Sequence, residues 1–128
     1  MNYCTAERVR LIFGSQNVDR WADLDNSGIR NDIDARIANA ISVASAEVDS
    51  VLSGSPMAQP LSVGGEVPLL IQEVCATLAG LHLYEARGVQ GITTQDGQPV
   101  HPYIFKRVWA MKVLDELRSG RRRIYGGA

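Results

Sequence analysis

From Val67 to Arg87 the chain reads V-P-L-L-I-Q-E-V-C-A-T-L-A-G-L-H-L-Y-E-A-R. Proline suits the first turn of a helix, where its missing N–H has no partner to lose, so a helix is expected to begin at Val67-Pro68. Leu70, Ile71, Val74, Cys75, Leu78, Leu81 and Leu83 crowd most sides of it, with Ala76, Ala79 and Gly80 between them. A helix apolar around most of its circumference has to be covered on several sides, which places it at the centre of a helical bundle. Cys75 is assigned to core filling, with no adjacent base to make it a nucleophile. His82 is expected to be a satisfied structural histidine on the same helix.

The flanking segments supply the neighbours. Ile33, Ile37, Ile41, Ala44, Val48 and Val51 recur at helical spacing and form one stripe of a helix of about twenty residues, stopped by Ser53-Gly54-Ser55-Pro56. Nearer the N-terminus, Thr5 is a good N-cap for a short helix with Val9, Ile12 and Phe13 on one face and Gly14 just past its end. Gly14 to Ala22, G-S-Q-N-V-D-R-W-A, reads as a poor helix former. Downstream, a helix from about Pro102 to Ser119, ended by Gly120, is expected to place Ile104, Val108, Met111 and Leu114 along its apolar edge, with Phe105, Trp109 and Leu117 beside them. Trp109 is assigned to the core.

Two connections interrupt this pattern. Gly54 to Val67 is rich in glycine and proline, and Gly88 to Pro102 carries Asp96-Gly97, a strong two-residue hairpin signal that Pro99 confines to an edge or an arm. The expected fold class is all-α, a bundle of about four main helices with a long loop or short β-hairpin between the third and fourth. Residues 1–119 form the helical domain and residues 120–128 an extended basic tail.

Bulk properties fit this outline. The chain has 128 residues, the size of one domain with a single core, and its 45% apolar and 21% charged residues exclude wholesale disorder. Cys4 and Cys75 are too few and too far apart in the chain for a disulfide framework or a zinc site, so a reduced, intracellular setting is expected. Neither a signal-peptide run nor a stretch of membrane-span length is evident. The net charge of -1 points to no particular polyion. Its distribution is uneven: seven basic residues follow from Lys106 onward, against Asp115 and Glu116 alone.

The stretch D-L-D-N-S-G-I-R-N-D-I-D, Asp23 to Asp34, invites a calcium reading. Counted as a twelve-residue loop, it offers Asp23, Asp25, Ser27, the Ile29 carbonyl, Asn31 and Asp34 as ligands, with Gly28 at the required sixth position. However, the last ligand should be a bidentate glutamate, and the incoming helix would have to be the poor Gly14–Ala22 segment. The competing reading is a turn whose Asp and Asn side chains bond to nearby backbone N–H groups, with Asn31 or Asp32 as N-cap of the following helix and Asp34 in its first turn. That reading is preferred, and no metal or other cofactor is expected.

Nothing in the chain argues for an enzyme. There is no nucleophile elbow and no glycine-rich phosphate loop, His101 sits beside Pro102 in a loop, and Glu73 and Glu85 are expected to be solvated at helix edges. The C-terminal basic cluster remains. Arg118, Arg121, Arg122 and Arg123, followed by Ile124 and Tyr125, could contact nucleic-acid phosphates or dock on an acidic protein surface with the two apolar residues as anchors.

The order of these features resembles the small head-tail connector (adaptor) proteins of tailed bacteriophages, in particular the group found in Mu-like phages. The resemblance is carried by the D-x-D-x-x-G turn (Asp23, Asp25, Gly28), A-E-V-D-S-V-L (Ala46 to Leu52), Pro60-Leu61, and V-P-L-L (Val67 to Leu70). It covers the chain to about residue 87. It implies a structural virion protein, made in the host cytoplasm and located at the neck, that forms a twelve-fold ring beneath the portal. Such a ring offers a surface to the tail or to a stopper or tail-terminator protein, and packaged DNA passes through its centre without sequence-specific binding. On this reading the partners are the portal protein, met by Arg118, Arg121, Arg122, Arg123, Ile124 and Tyr125, and further copies of the chain, met by Asp23, Asp25, Asp96 and Gly97. No membrane is involved. The alternative is a small helical nucleic-acid-binding or regulatory module using the C-terminal arginines.

Overall fold

Among the described residues, four helices pack around a fifth, central one. The computed structural model describes residues 2–53, 67–87, 92–93, 99–100 and 103–122. In chain order these form α1 (Ala6–Phe13), α2 (Ser15–Ala22), α3 (Arg30–Leu52), α4 (Leu69–Arg87), β1 (Ile92–Thr93), β2 (Pro99–Val100) and α5 (Ile104–Ser119). The fold is all-α, and its two short strands pair antiparallel, Ile92 opposite Val100 and Thr93 opposite Pro99. This is the expected short hairpin before the last helix; its Asp96-Gly97 turn lies outside the described residues.

The central helix is α4. Eleven of its residues, from Ile71 to Tyr84, are buried, and α1, α2, α3 and α5 all pack against it. The helix starts one residue after the expected point: the Pro68 carbonyl accepts the first helical bond, from the Gln72 N–H. The long stripe of α3 also forms as read, with Ile33, Ile37, Ile41, Ala44 and Val48 buried together with Ala40, Ser45 and Leu52, whereas Val51 is only partly buried. Its start differs from expectation. Ile29, not Asn31 or Asp32, occupies the cap position without a side-chain cap, because Arg30 is already helical and pairs with Asp34 one turn on.

Between α1 and α3 the low-propensity segment is a helix after all. Val18, Trp21 and Ala22 are buried, and this tertiary burial outweighs a weak intrinsic preference. Thr5 caps α1 as expected, its hydroxyl accepting from the Arg8 N–H. Gly14, at φ 91°, separates α1 from α2, and Asn17 donates to the Phe13 carbonyl across the joint.

Where α1, α2, α4 and the start of α5 meet, four aromatic rings pack edge to face. Phe13, Trp21, Tyr84 and Tyr103 have neighbouring centroids 5.2–5.5 Å apart, the arrangement that the ring quadrupoles favour. Phe13 comes this close to α4 because residue 80 is glycine: a Cβ there would overlap the Phe13 ring.

The polar residues also find partners that the sequence reading did not foresee. Glu73 pairs with Arg8 at 2.8 Å and Glu85 with Arg107, so both carboxylates, partly exposed at helix edges as expected, also bind helix to helix. His82 is exposed and is no core histidine, since it falls on the narrow polar strip of α4 beside Glu85. Cys4 and Cys75, 71 residues apart, meet sulfur to sulfur at 3.3 Å in the core, with the Ser45 hydroxyl 3.3 Å from Cys75. The Cys4 thiol is pushed up by its hydrogen bond to Cys75 and by burial, so it stays protonated. At the other end of the bundle, Asp19 of α2 accepts from Arg10 at 3.0 Å and from Arg30 at 3.1 Å, joining α1, α2 and α3. Arg30, and then Arg10, hold the Asp19 carboxyl below its ordinary value.

Two outcomes follow for stability. Replacing Gly80 with Ala should lower the melting temperature by several degrees, because overpacking Phe13 costs about 2 kcal/mol, more than the ~1 kcal/mol that alanine gains in helix propensity; an unchanged or raised melt would contradict the packing described. For Asp19, a folded-state pKa below the unfolded value means stability that is present above the ordinary carboxylate value of 3.8 and lost as pH falls through the folded value. Asp19→Asn should therefore cost about 1 kcal/mol at neutral pH, and its melting curve should converge with that of the unsubstituted chain on acidification. A gap that stays constant with pH would show that the charge is not involved.

Candidate interaction surface

The last helix departs most from its sequence reading. Its buried residues are Ala110, Val113, Leu114 and Leu117, whereas Ile104, Phe105, Val108, Trp109 and Met111 face outward. At about 100° per residue the two sets project from opposite sides of the helix. Leu114 and Leu117 are in the core as expected, but the rest of the expected edge is a solvent-facing ridge. Trp109, assigned to the core, is 40% exposed and Phe105 83%, whereas Trp21 is 5% exposed. The signal was present in the sequence. Ala110, Val113, Leu114 and Leu117 form a second helical stripe, and that is the one the bundle buries.

A run of large apolar side chains on the far side of a helix from its core is a feature of interaction sites. Beside the ridge, a shallow groove of about 430 Å³ opens between α1, α4 and α5, lined by Ile12, Glu73, Thr77, Phe105, Lys106 and Trp109. Phe105 and Trp109 form one wall. Lys106 is held over the Phe13 ring, 5.5 Å from its centroid, so its ammonium stands at the groove's edge.

At the end of α5 the basic cluster is partly neutralised by its own helix. Gly120 adopts the left-handed conformation at φ 81°, its N–H bonds to the Leu117 carbonyl, and the Arg122 N–H reaches back to the Glu116 carbonyl. This turn brings the arginines alongside the last acidic residues. Arg118 pairs with Asp115 at 2.7 Å, Arg121 with Asp115 at 2.6 Å, and Arg122 with Glu116 at 2.9 Å. Arg118, and then Arg121, hold the Asp115 carboxyl below the ordinary carboxylate range. Arg123, Ile124 and Tyr125 lie outside the described residues, as do Asp96, Gly97 and His101.

The acidic turn is built around its own backbone. Asp23 accepts from the Ser27 and Gly28 N–H groups, both at 3.0 Å, Asn26 adopts a left-handed φ of 53°, and Gly28 one of 68°. Arg87 clamps the turn from the end of α4, donating to the Asp23 carbonyl and to the Asn26 side chain. Asp25 pairs with Arg36 at 2.9 Å and Asp34 with Arg30 at 2.6 Å. Although α2 supplies an incoming helix, the three carboxylates are thus directed to three different partners. Among the described residues no three His, Cys, Asp or Glu side chains converge as a metal site requires, and no helix is long and apolar enough to cross a membrane.

A family model described as "Bacteriophage Mu, Gp36" matches residues 3–126, almost the whole chain. None of the curated proteins matches significantly. With the match running from the N-terminal helix through the ridge of α5 and into the basic tail, the chain belongs to the bacteriophage Mu Gp36 family.

Proposed function

We propose that this phage protein is a structural component of the virion neck. It forms a ring below the portal, receives the tail or a stopper protein on its other side, and leaves a central passage for DNA. The observation that carries this reading is the ridge of α5, which turns Phe105, Val108 and Trp109 toward solvent on a chain whose core is already complete without them. Exposed aromatic residues of this kind are common anchors of protein–protein contacts. The ridge continues into the turned-back arginines at the end of the same helix, so one element presents apolar and basic contacts together.

The charge pattern favours a protein partner over nucleic acid for the C-terminal cluster. Arg118, Arg121 and Arg122 are each engaged by Asp115 or Glu116, so these five side chains together carry a net charge of only about one toward phosphate. Such paired arginines suit a partner surface that presents both signs of charge. On this reading residues 118 to 125 meet the portal.

Phage carrying a deletion of Gly120 to Ala128 should assemble DNA-filled heads and complete tails that fail to join, seen as separate particles by electron microscopy. Tailed, infectious particles from that deletion would overturn the docking role of the segment. A DNA shift that the intact chain produces as a monomer, and that weakens with salt, would instead favour the nucleic-acid-binding module.

A further inference from the structure

The outer face of α3 is unusual in a way complementary to the ridge of α5. Opposite its buried stripe, α3 exposes Ala35, Asn39, Ser42, Val43, Ala46 and Ser50. None of these side chains is longer than asparagine, over more than four helical turns. A water-facing helix surface ordinarily carries long charged side chains, and here they are absent from the middle of the face. What results is a flat strip, with Val43 exposed at its centre.

The charges beside the two surfaces are of opposite sign. On α3, Asp32 and Glu47 make no ion pair among the described residues. On α5, Lys112 is exposed on the ridge side of the helix and likewise makes no ion pair among the described residues, and Lys106 is held over a ring and not by a carboxylate. A protruding apolar ridge with a free lysine and a flat strip with free carboxylates therefore occur on the same chain.

We propose that copies of this chain associate head to tail, with the Ile104, Phe105, Val108 and Trp109 ridge of α5 in one copy lying on the short-side-chain face of α3 in the next. Lys112 faces Glu47 at the edge of that strip. Because the two surfaces are different, each joined pair keeps one ridge and one strip unused, and the contact repeats until rotation closes it. A contact of α5 with α5 would instead put two copies of Lys112 into one interface and leave the α3 strip uncovered. This inference rests on the ring reading above and identifies the joint between its subunits.

The test uses the full chain with Phe105→Asp, which spoils the ridge, and Ala46→Arg, which spoils the strip. Both positions are exposed, so helical circular dichroism and the thermal melt should not change. In sedimentation velocity the unsubstituted chain should form species larger than dimers as its concentration rises, and each variant alone should associate at least about thirtyfold more weakly. Mixing the two variants should restore a one-to-one dimer that grows no further, because the intact ridge of one meets the intact strip of the other. Association by Ala46→Arg equal to that of the unsubstituted chain would overturn the proposal in favour of an α5–α5 contact, and a chain that stays monomeric throughout would overturn it outright. The neck assignment is decided separately, by whether this chain is found at the head–tail junction of intact particles.

Discussion

Everything in this bundle is arranged around the fit of Phe13 against Gly80. The missing Cβ at position 80 lets α1 approach the central helix closely enough for the Phe13 ring to join Trp21, Tyr84 and Tyr103. That cluster ties four helices at one point and fills the space beside α4. Beside it, α5 packs Ala110, Val113, Leu114 and Leu117 inward. The larger side chains are turned out to solvent. The residues of α5 left outside this core form the surface proposed for interaction.

Ion pairs hold the periphery of the same arrangement. Asp19 joins α1, α2 and α3, Glu73 joins α4 to α1, and Glu85 joins α4 to α5. Each is partly exposed and contributes modestly, but together they fix how the helices lie around α4. The Asp23 turn belongs to this group. Its carboxylate ties the turn to itself and Arg87 ties it to α4, which sets the angle at which α3 leaves the loop. The acidic residues that at first suggest a metal loop are used in folding.

The helices whose apolar residues lie on a single face, or on all faces, could be read from sequence: the stripe of α3, the all-round apolarity of α4, the Thr5 cap and the Pro99-limited hairpin all appear in the structure. Residues whose fate depends on neighbours far along the chain could not. Ser15–Ala22 is helical only because Val18 and Trp21 have a core to enter, and the two cysteines touch only because α4 passes behind the N-terminal residues. For α5, two apolar stripes competed for one core, and periodicity alone does not choose between them. The surface proposed for interaction was therefore assigned to the interior.

The account centres on a neck subunit whose outward ridge meets its neighbour, and an averaged electron cryo-microscopy reconstruction of the neck in intact particles tests it most directly. It should show, at the head–tail junction, a closed ring of five-helix subunits in which the α5 ridge of each lies on α3 of the next. A neck without such a ring, or particles from which this chain is absent, would contradict it.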